Sequence, residues 1–124
     1  MKLCPVLVTA VVLCAVGLAQ AQQRMPVRDP KLLLIAAIDA PSGHAHGVLV
    51  GEAAEAITQR FKGTSPIYID VSTERRYAQP GCSRLKVSFW QDGVQLPGAT
   101  SPRRQVIDFG IDYCGDGRPP KSLL

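Results

Sequence analysis

The chain has 124 residues, 19% of them charged, and a formal net charge of +4 at pH 7. A domain of about this size can bury one modest core and no more. Its basic residues are not interleaved with stacking aromatic residues, and this argues against a nucleic-acid-binding protein.

The first 21 residues have the pattern of a secretory signal peptide. Met1 and Lys2 form a short positive start, residues 3–18 are apolar, and Ala19 and Ala21 frame a small-x-small cleavage site. The alternative is an uncleaved membrane anchor, but the apolar run is short for a span and polar residues follow it at once. We therefore predict an exported protein, periplasmic or secreted, with no membrane span after cleavage.

Cleavage would leave Cys82 and Cys114 as the two cysteines of the mature chain. An even number of cysteines in an oxidising compartment favours one disulfide over two free buried thiols. Composition then divides the chain into four parts. A signal peptide (residues 1–21) is followed by a flexible leader (22–30), one globular domain (31–114) and an extended tail (115–124).

The first half of the domain reads as strand, loop, helix and strand. Residues 31–38 are almost continuously apolar, and prolines on both sides favour a covered strand over a buried helix. Residues 41–47 have the composition of a loop. An amphipathic helix is predicted over residues 50–61 from apolar side chains spaced by four, three and four residues, ending near Gly63. Its start is open, at Ser42, near Gly47 or as late as Gly51.

A second strand is predicted over residues 67–71, followed by a loop over residues 72–81. The period-two alternation of residues 83–91 and 105–113 predicts two further half-buried strands. If these strands are antiparallel with Cys82 opposite Cys114, apolar residues face one another on one side and charged residues on the other. The register then has five further predicted pairs, which are Leu85–Ile111, Val87–Phe109, Phe89–Ile107, Arg84–Asp112 and Ser88–Asp108.

Asp92 and Gly93 have the sequence of a two-residue hairpin turn. The turn would fold residues 94–96 back on strand 83–91 as a short arm, and residues 97–104 would then cross to strand 105–113. The predicted fold is a small α+β sandwich. It has one amphipathic helix on a mixed, mainly antiparallel sheet of about four to five strands, with one disulfide.

The only histidines of the chain lie close together, as His44 and His46. A His-x-His pair on a loop is a weak candidate for a ligand or metal site, with Asp39 as the third group. The alternative is a polar loop with two exposed histidines. No Cys-x-x-Cys pair or nucleophile–base motif is present, so we predict no enzymatic activity and no cofactor.

Trp90 is predicted on the outer, charged face of its strand, where it is a candidate for partner contact. The arginine pairs Arg75–Arg76 and Arg103–Arg104 are further candidates, although solvated loop charge explains them as well. The leading hypothesis is an exported, non-enzymatic adaptor that binds a protein of a secretion- or transfer-type envelope complex. The alternatives are a ligand- or metal-binding module built on residues 39–47 and a small hydrolase.

Overall fold

A computed structural model describes residues 23–124, so the predicted signal peptide lies outside the described residues. The described residues form five strands and two helices: β1 (Met25–Val27), α1 (Lys31–Asp39), β2 (His44–Leu49), α2 (Glu52–Phe61), β3 (Ile67–Arg76), β4 (Cys82–Val94) and β5 (Arg103–Cys114). The strands form one sheet in chain order, with β1 and β2 parallel and all other neighbours antiparallel. The predicted α+β class is confirmed, with two helices instead of one.

Helix α1 lies on one face of the sheet, which we call the inner face. Its buried residues follow helical spacing, namely Leu33, Leu34, Ala37 and Ile38. They pack on the alternate residues of β3 and β4 that point inward, Ile69, Val71, Leu85 and Val87. This layer is the hydrophobic core. The opposite face of the sheet, the outer face, carries the other half of each strand's side chains.

The predicted strand over residues 31–38 is wrong, because these residues form α1. A helix that is apolar nearly all round gives no clear 3.6-residue period, so its sequence resembles that of a covered strand. The flanking prolines fit both structures. Pro30 has helical backbone angles at the N-cap of α1, and Ala40 is extended before Pro41.

The predicted loop over residues 41–47 is also partly wrong, because β2 begins at His44. Gly47 lies in the middle of β2 and faces α1. A Cβ atom on Gly47 would lie 2.5 Å from Leu33 Cδ1, so glycine allows the helix to approach the strand closely. Gly47, which resembles a loop residue in the sequence, is thus required for the packing of the helix on the sheet.

The predicted helix is confirmed as α2, and it begins at the latest of the predicted positions, after Gly51. Lys62, not Gly63, adopts the left-handed conformation at its end, with φ of 55°. Gly63 is required for a different reason. A Cβ atom there would lie 2.3 Å from the side chain of Gln91, which packs directly against it.

The predicted register of the disulfide-linked strands is confirmed at every pair. Cys82 lies opposite Cys114 and is disulfide-bonded to it, and the five further predicted pairs are all found between β4 and β5. On the outer face, the Nη1 atom of Arg84 lies 3.2 Å from Asp112 Oδ2. The apolar pairs and the ion pair therefore fall on opposite faces, as the alternation predicts.

The hairpin turn predicted at Asp92-Gly93 is wrong. Strand β4 continues to Val94, and between the pairs Gln91–Gln105 and Val94–Arg103 it has one residue more than β5. Gly93 has φ of +70°, which fits a bulge with a left-handed glycine. The short arm over residues 94–96 therefore does not form, and residues 95–102 connect β4 directly to β5.

The two ends of the described chain are joined to the domain. Residues 25–27 of the predicted leader form β1, and Val27 is buried in the core. The C-terminal tail has no helix or strand, but it folds back over the disulfide end. There, the backbone N–H of Ala78 donates to Leu124 O and the backbone N–H of Cys114 donates to Arg118 O. Within residues 23–124, no helix has both the length and the apolar composition to cross a membrane.

Candidate functional site

The carboxylate of Asp70 lies at the centre of a hydrogen-bonded cluster on the outer face. It accepts hydrogen bonds from Arg24 Nη1 at 2.9 Å, His46 Nδ1 at 2.7 Å and Trp90 Nε1 at 2.8 Å. Strand pairing explains the convergence, because Asp70 lies opposite His46 on β2 and Trp90 lies opposite Tyr68 on β4. An ionised carboxylate only accepts, so this arrangement requires the imidazole proton on Nδ1.

Arginine side chains cover the aromatic rings of this face. The guanidinium carbon of Arg24 lies 4.6 Å from the centroid of the Tyr68 ring, and that of Arg104 lies 4.4 Å from the centroid of the Trp90 ring. Arg104 is also held by Asp92, with Nε and Oδ1 2.6 Å apart. Because the guanidinium groups lie over the rings, the aromatic pair does not offer an open platform for stacking a base or a sugar.

Partial burial alone would raise the pKa of Asp70, but the hydrogen bonds from His46, Trp90 and Arg24 together lower it below its ordinary value. A lowered pKa in the folded state means that the charged carboxylate stabilises the fold. This stabilisation is complete above the pKa of the unfolded chain and is lost as the pH falls through the lower folded pKa.

Replacement of Asp70 by Asn is therefore expected to lower the free energy of unfolding by about 1–2 kcal/mol at neutral pH. The difference from the native chain should disappear below the folded pKa of Asp70, where both side chains are neutral. Urea unfolding at a series of pH values measures it. Asp108→Asn is the matched control, because Asp108 is exposed on β5 and is absent from the ion pairs of the described residues. A constant difference across the whole pH range would contradict the prediction.

Asp39, His44 and His46 do not converge to form a metal site. Residues 23–124 contain no group of three histidine, cysteine, aspartate or glutamate side chains that could hold a metal ion. His46 instead contacts Asp70, while His44 is exposed and its ring centroid lies 6.4 Å from that of His46. Asp39 is the last residue of α1. Within the described residues, these three side chains therefore do not support the metal site predicted on residues 39–47.

The two arginine pairs lie at opposite ends of the sheet. Arg75 pairs with Arg84 near the disulfide, whereas Arg103 pairs with Val94. Ten residues of β4 separate these positions, which is about 30 Å at roughly 3.3 Å per residue. The structure therefore places Trp90 and Arg104 together, but it does not join the two basic pairs into one patch.

An apolar cleft of about 320 Å³ lies between α2 and the end of the sheet formed by β4 and β5. Its walls include Ile57 and Phe61 of α2, Ile67 of β3, Phe89 and Val94 of β4, and Ile107 of β5. The amide of Gln91 also borders the cleft, but its nitrogen donates to Thr58 Oγ1 and Ser65 O at 2.9 Å. The cleft therefore presents mainly hydrocarbon to a ligand.

Strand β5 forms one edge of the sheet, and no strand of the described residues pairs with its far side. Three large apolar side chains on it are solvent-exposed: Val106 by 46%, Ile107 by 58% and Phe109 by 44%. The opposite edge, β1, has three residues and includes Pro26, features that limit pairing with another chain. The long, partly apolar edge of β5 is the best candidate for an interaction surface.

Comparison with known proteins adds no identification, since no protein-family model, curated protein or solved structure matches the chain significantly. Over residues 23–124, the fold and site define a class only, a small α+β protein with a disulfide, an apolar cleft and a long, partly apolar sheet edge. Sequence reasoning missed Arg24 and Asp70, because their roles depend on the pairing of β2 with β3 and, for Arg24, on the pairing of β1 with β2.

Proposed function

We propose that this protein is an exported, disulfide-stabilised, non-enzymatic adaptor that binds a protein partner along the edge of β5. The observation that carries the proposal is the exposure of Val106, Ile107 and Phe109 on a strand whose far side is unpaired in the described structure. Exposed apolar side chains on a long sheet edge are otherwise an aggregation hazard, so their presence favours an interface.

The occupant proposed for this edge is an extended segment of a different protein, added as a sixth strand. Its backbone would pair with β5, and its apolar side chains would cover Ile107 and Phe109 on the inner face. On the outer face, Asp108 is exposed and is absent from the ion pairs of the described residues. Charge complementarity therefore favours a partner strand that places a lysine or arginine opposite Asp108.

Export is part of the proposal because two features support it. Residues 1–21 have the pattern of a cleavable signal peptide. Cys82 and Cys114 form a disulfide, and disulfides persist mainly in oxidising compartments. An envelope complex of the secretion or transfer type is the setting that we propose for the partner, and the adaptor role requires no catalytic group on this chain.

Site-specific photo-crosslinking tests the proposal in the native host, with the full chain expressed from its own signal. A crosslinker at position 109 is expected to capture a stoichiometric partner through an extended segment that carries a basic residue. A crosslinker at position 25 is expected to capture none. In co-purification of chains that carry no crosslinker, Phe109→Lys should reduce recovery of this partner by about tenfold, which corresponds to the loss of one interface anchor.

Met25→Lys is the matched control, since Met25 is 46% exposed on the opposite edge strand and Phe109 is 44% exposed. Equal recovery of the partner by both variants would overturn the β5 interface. Recovery of a lone monomer would overturn the adaptor function, and capture of only a second copy of this chain would show a homodimer instead. Equal melting temperatures of the two variants would show that the reduced binding of Phe109→Lys is not caused by unfolding.

A further inference from the structure

We infer that the apolar cleft between α2 and the β4–β5 end of the sheet binds a long-chain carboxylate. The hydrocarbon tail would occupy the cleft, and the carboxylate would lie at its mouth beside Arg103. This site shares the wall residue Ile107 with the proposed partner edge, but its other walls lie on α2, β3 and β4, away from the unpaired side of β5. The inference goes beyond the adaptor function and does not depend on it.

The size and lining of the cleft favour a hydrocarbon chain. Its volume of about 320 Å³ lies in the range of small-molecule sites. Ile57, Phe61 and Ile107 line it, and Ile57 and Ile107 are exposed to solvent in the absence of an occupant. A tail inserted between them would remove apolar surface from water on both sides of the cleft.

Strand and helix positions place two arginines at one end of the cleft, next to residues that line it. Arg103 lies on β5 opposite the wall residue Val94, and strand alternation places it on the same face as the wall residue Ile107. The neighbouring residue Gln95 donates its backbone N–H to Phe61 O at 2.8 Å, so α2 ends beside this position. Arg60 lies there as well, with its guanidinium carbon 5.9 Å from the centroid of the Phe61 ring.

Both guanidinium groups are available to an anion. Arg60 and Arg103 are exposed, and neither is in an ion pair of the described residues. The nearby carboxylate of Asp92 is already held by Arg104, with Nε and Oδ1 2.6 Å apart. An apolar cleft with exposed arginines beside one end is complementary to an amphipathic anion, and a carboxylate is a group that arginine can bind in a bidentate geometry.

An acidic, apolar peptide segment is the other occupant with this charge pattern. The lining argues against it, because a peptide in the cleft would also bury backbone N–H and C=O groups. These groups need hydrogen-bond partners. The amide nitrogen of Gln91 is already committed to Thr58 and Ser65. A hydrocarbon tail has no such requirement, so the observations favour the long-chain carboxylate.

Isothermal titration calorimetry of the folded chain with sodium decanoate, below its micelle concentration, tests the inference. Decanoate is expected to bind with one site per chain. Decyltrimethylammonium, which has the same tail and the opposite charge, is expected to bind at least about tenfold more weakly. Absence of saturable decanoate binding, or equal affinity for both probes, would overturn the inference. Tighter binding of an acetylated Leu-Phe-Glu peptide amide than of decanoate would assign the cleft to a peptide instead.

Two variants with matched controls locate the ligand. Arg103→Gln should weaken decanoate binding by about tenfold, and Arg75→Gln, an exposed arginine at the other end of the sheet, should not. Ile57→Glu should abolish binding by placing a carboxylate in the wall, whereas Ala56→Glu on the exposed side of α2 should not. Unchanged affinity of Arg103→Gln would overturn the assignment of the carboxylate, and this result does not depend on whether Ile57→Glu folds.

Discussion

Replacement of both Cys82 and Cys114 by serine is expected to lower the free energy of unfolding by about 2–5 kcal/mol. The disulfide joins the first residue of β4 to the last residue of β5, which are 32 positions apart in the sequence. Without it, the unfolded chain is no longer restrained by this crosslink and has more conformational entropy. Both cysteines are buried, so the serine hydroxyls would also enter an apolar site. Urea unfolding of the native and variant chains under oxidising conditions measures the difference.

The native chain with its disulfide reduced is the control for this experiment. Reduction removes the crosslink without introducing hydroxyl groups, so it separates loop closure from the burial of serine. We expect the reduced chain to lose most of the stability that the double variant loses. An unchanged urea midpoint after reduction would show that the disulfide does not stabilise this fold.

Leu33→Ala is expected to destabilise the fold by about 2–5 kcal/mol, the range for truncation of a fully buried leucine. Leu33 has no exposed surface and lies in the core formed by α1 and the inner face of the sheet. Its side chain fills the space above Gly47, and the variant would leave a cavity there. Thermal and urea unfolding of the variant measure this loss.

Leu32→Ala is the matched control, since Leu32 is the adjacent residue of α1 and is 55% exposed. Its expected cost is less than about 1 kcal/mol, because little apolar surface is removed from the core. Equal costs at positions 32 and 33 would contradict the packing of α1 on the sheet.

The β4–β5 pairing was predictable because two independent features agree on it. Alternation gives each strand an apolar face, and the cysteines fix which residues lie opposite one another. One register satisfies both, and it is the register found between Cys82 and Cys114. The turn predicted at Asp92-Gly93 was wrong because the same dipeptide is found both in hairpin turns and in β-bulges. The two structures differ in whether strand pairing continues past the dipeptide, and here β4 still pairs with β5 at Val94.

The N-terminal half was less predictable because its local signals depend on tertiary packing. The apolar run of α1 has no period that distinguishes a buried helix from a covered strand. The glycine and alanine of β2 are small because α1 lies over them, and Gly47 has this role for Leu33. The composition of β2 depends on the packing of α1 over it, so neither element can be assigned correctly from its own sequence alone.

The candidate site was predictable in part. The alternation of β4 places Trp90 on the outer face, where its indole N–H reaches Asp70. The importance of Asp70 itself depends on three separate segments, which supply Arg24, His46 and Trp90. No spacing in the sequence encodes that convergence. The apolar cleft likewise requires α2 to lie beside the end of β5, which local patterns do not specify.

The disulfide has one more consequence, which concerns proteolysis. The chain connection over residues 95–102 closes the β4–β5 pair at one end, and the Cys82–Cys114 bond closes it at the other. Together they form a covalent ring. A protease that cuts the exposed connection once opens this ring but does not separate the two halves of the protein. The nicked chain keeps its strand ladder and remains a single molecule for as long as the disulfide is intact.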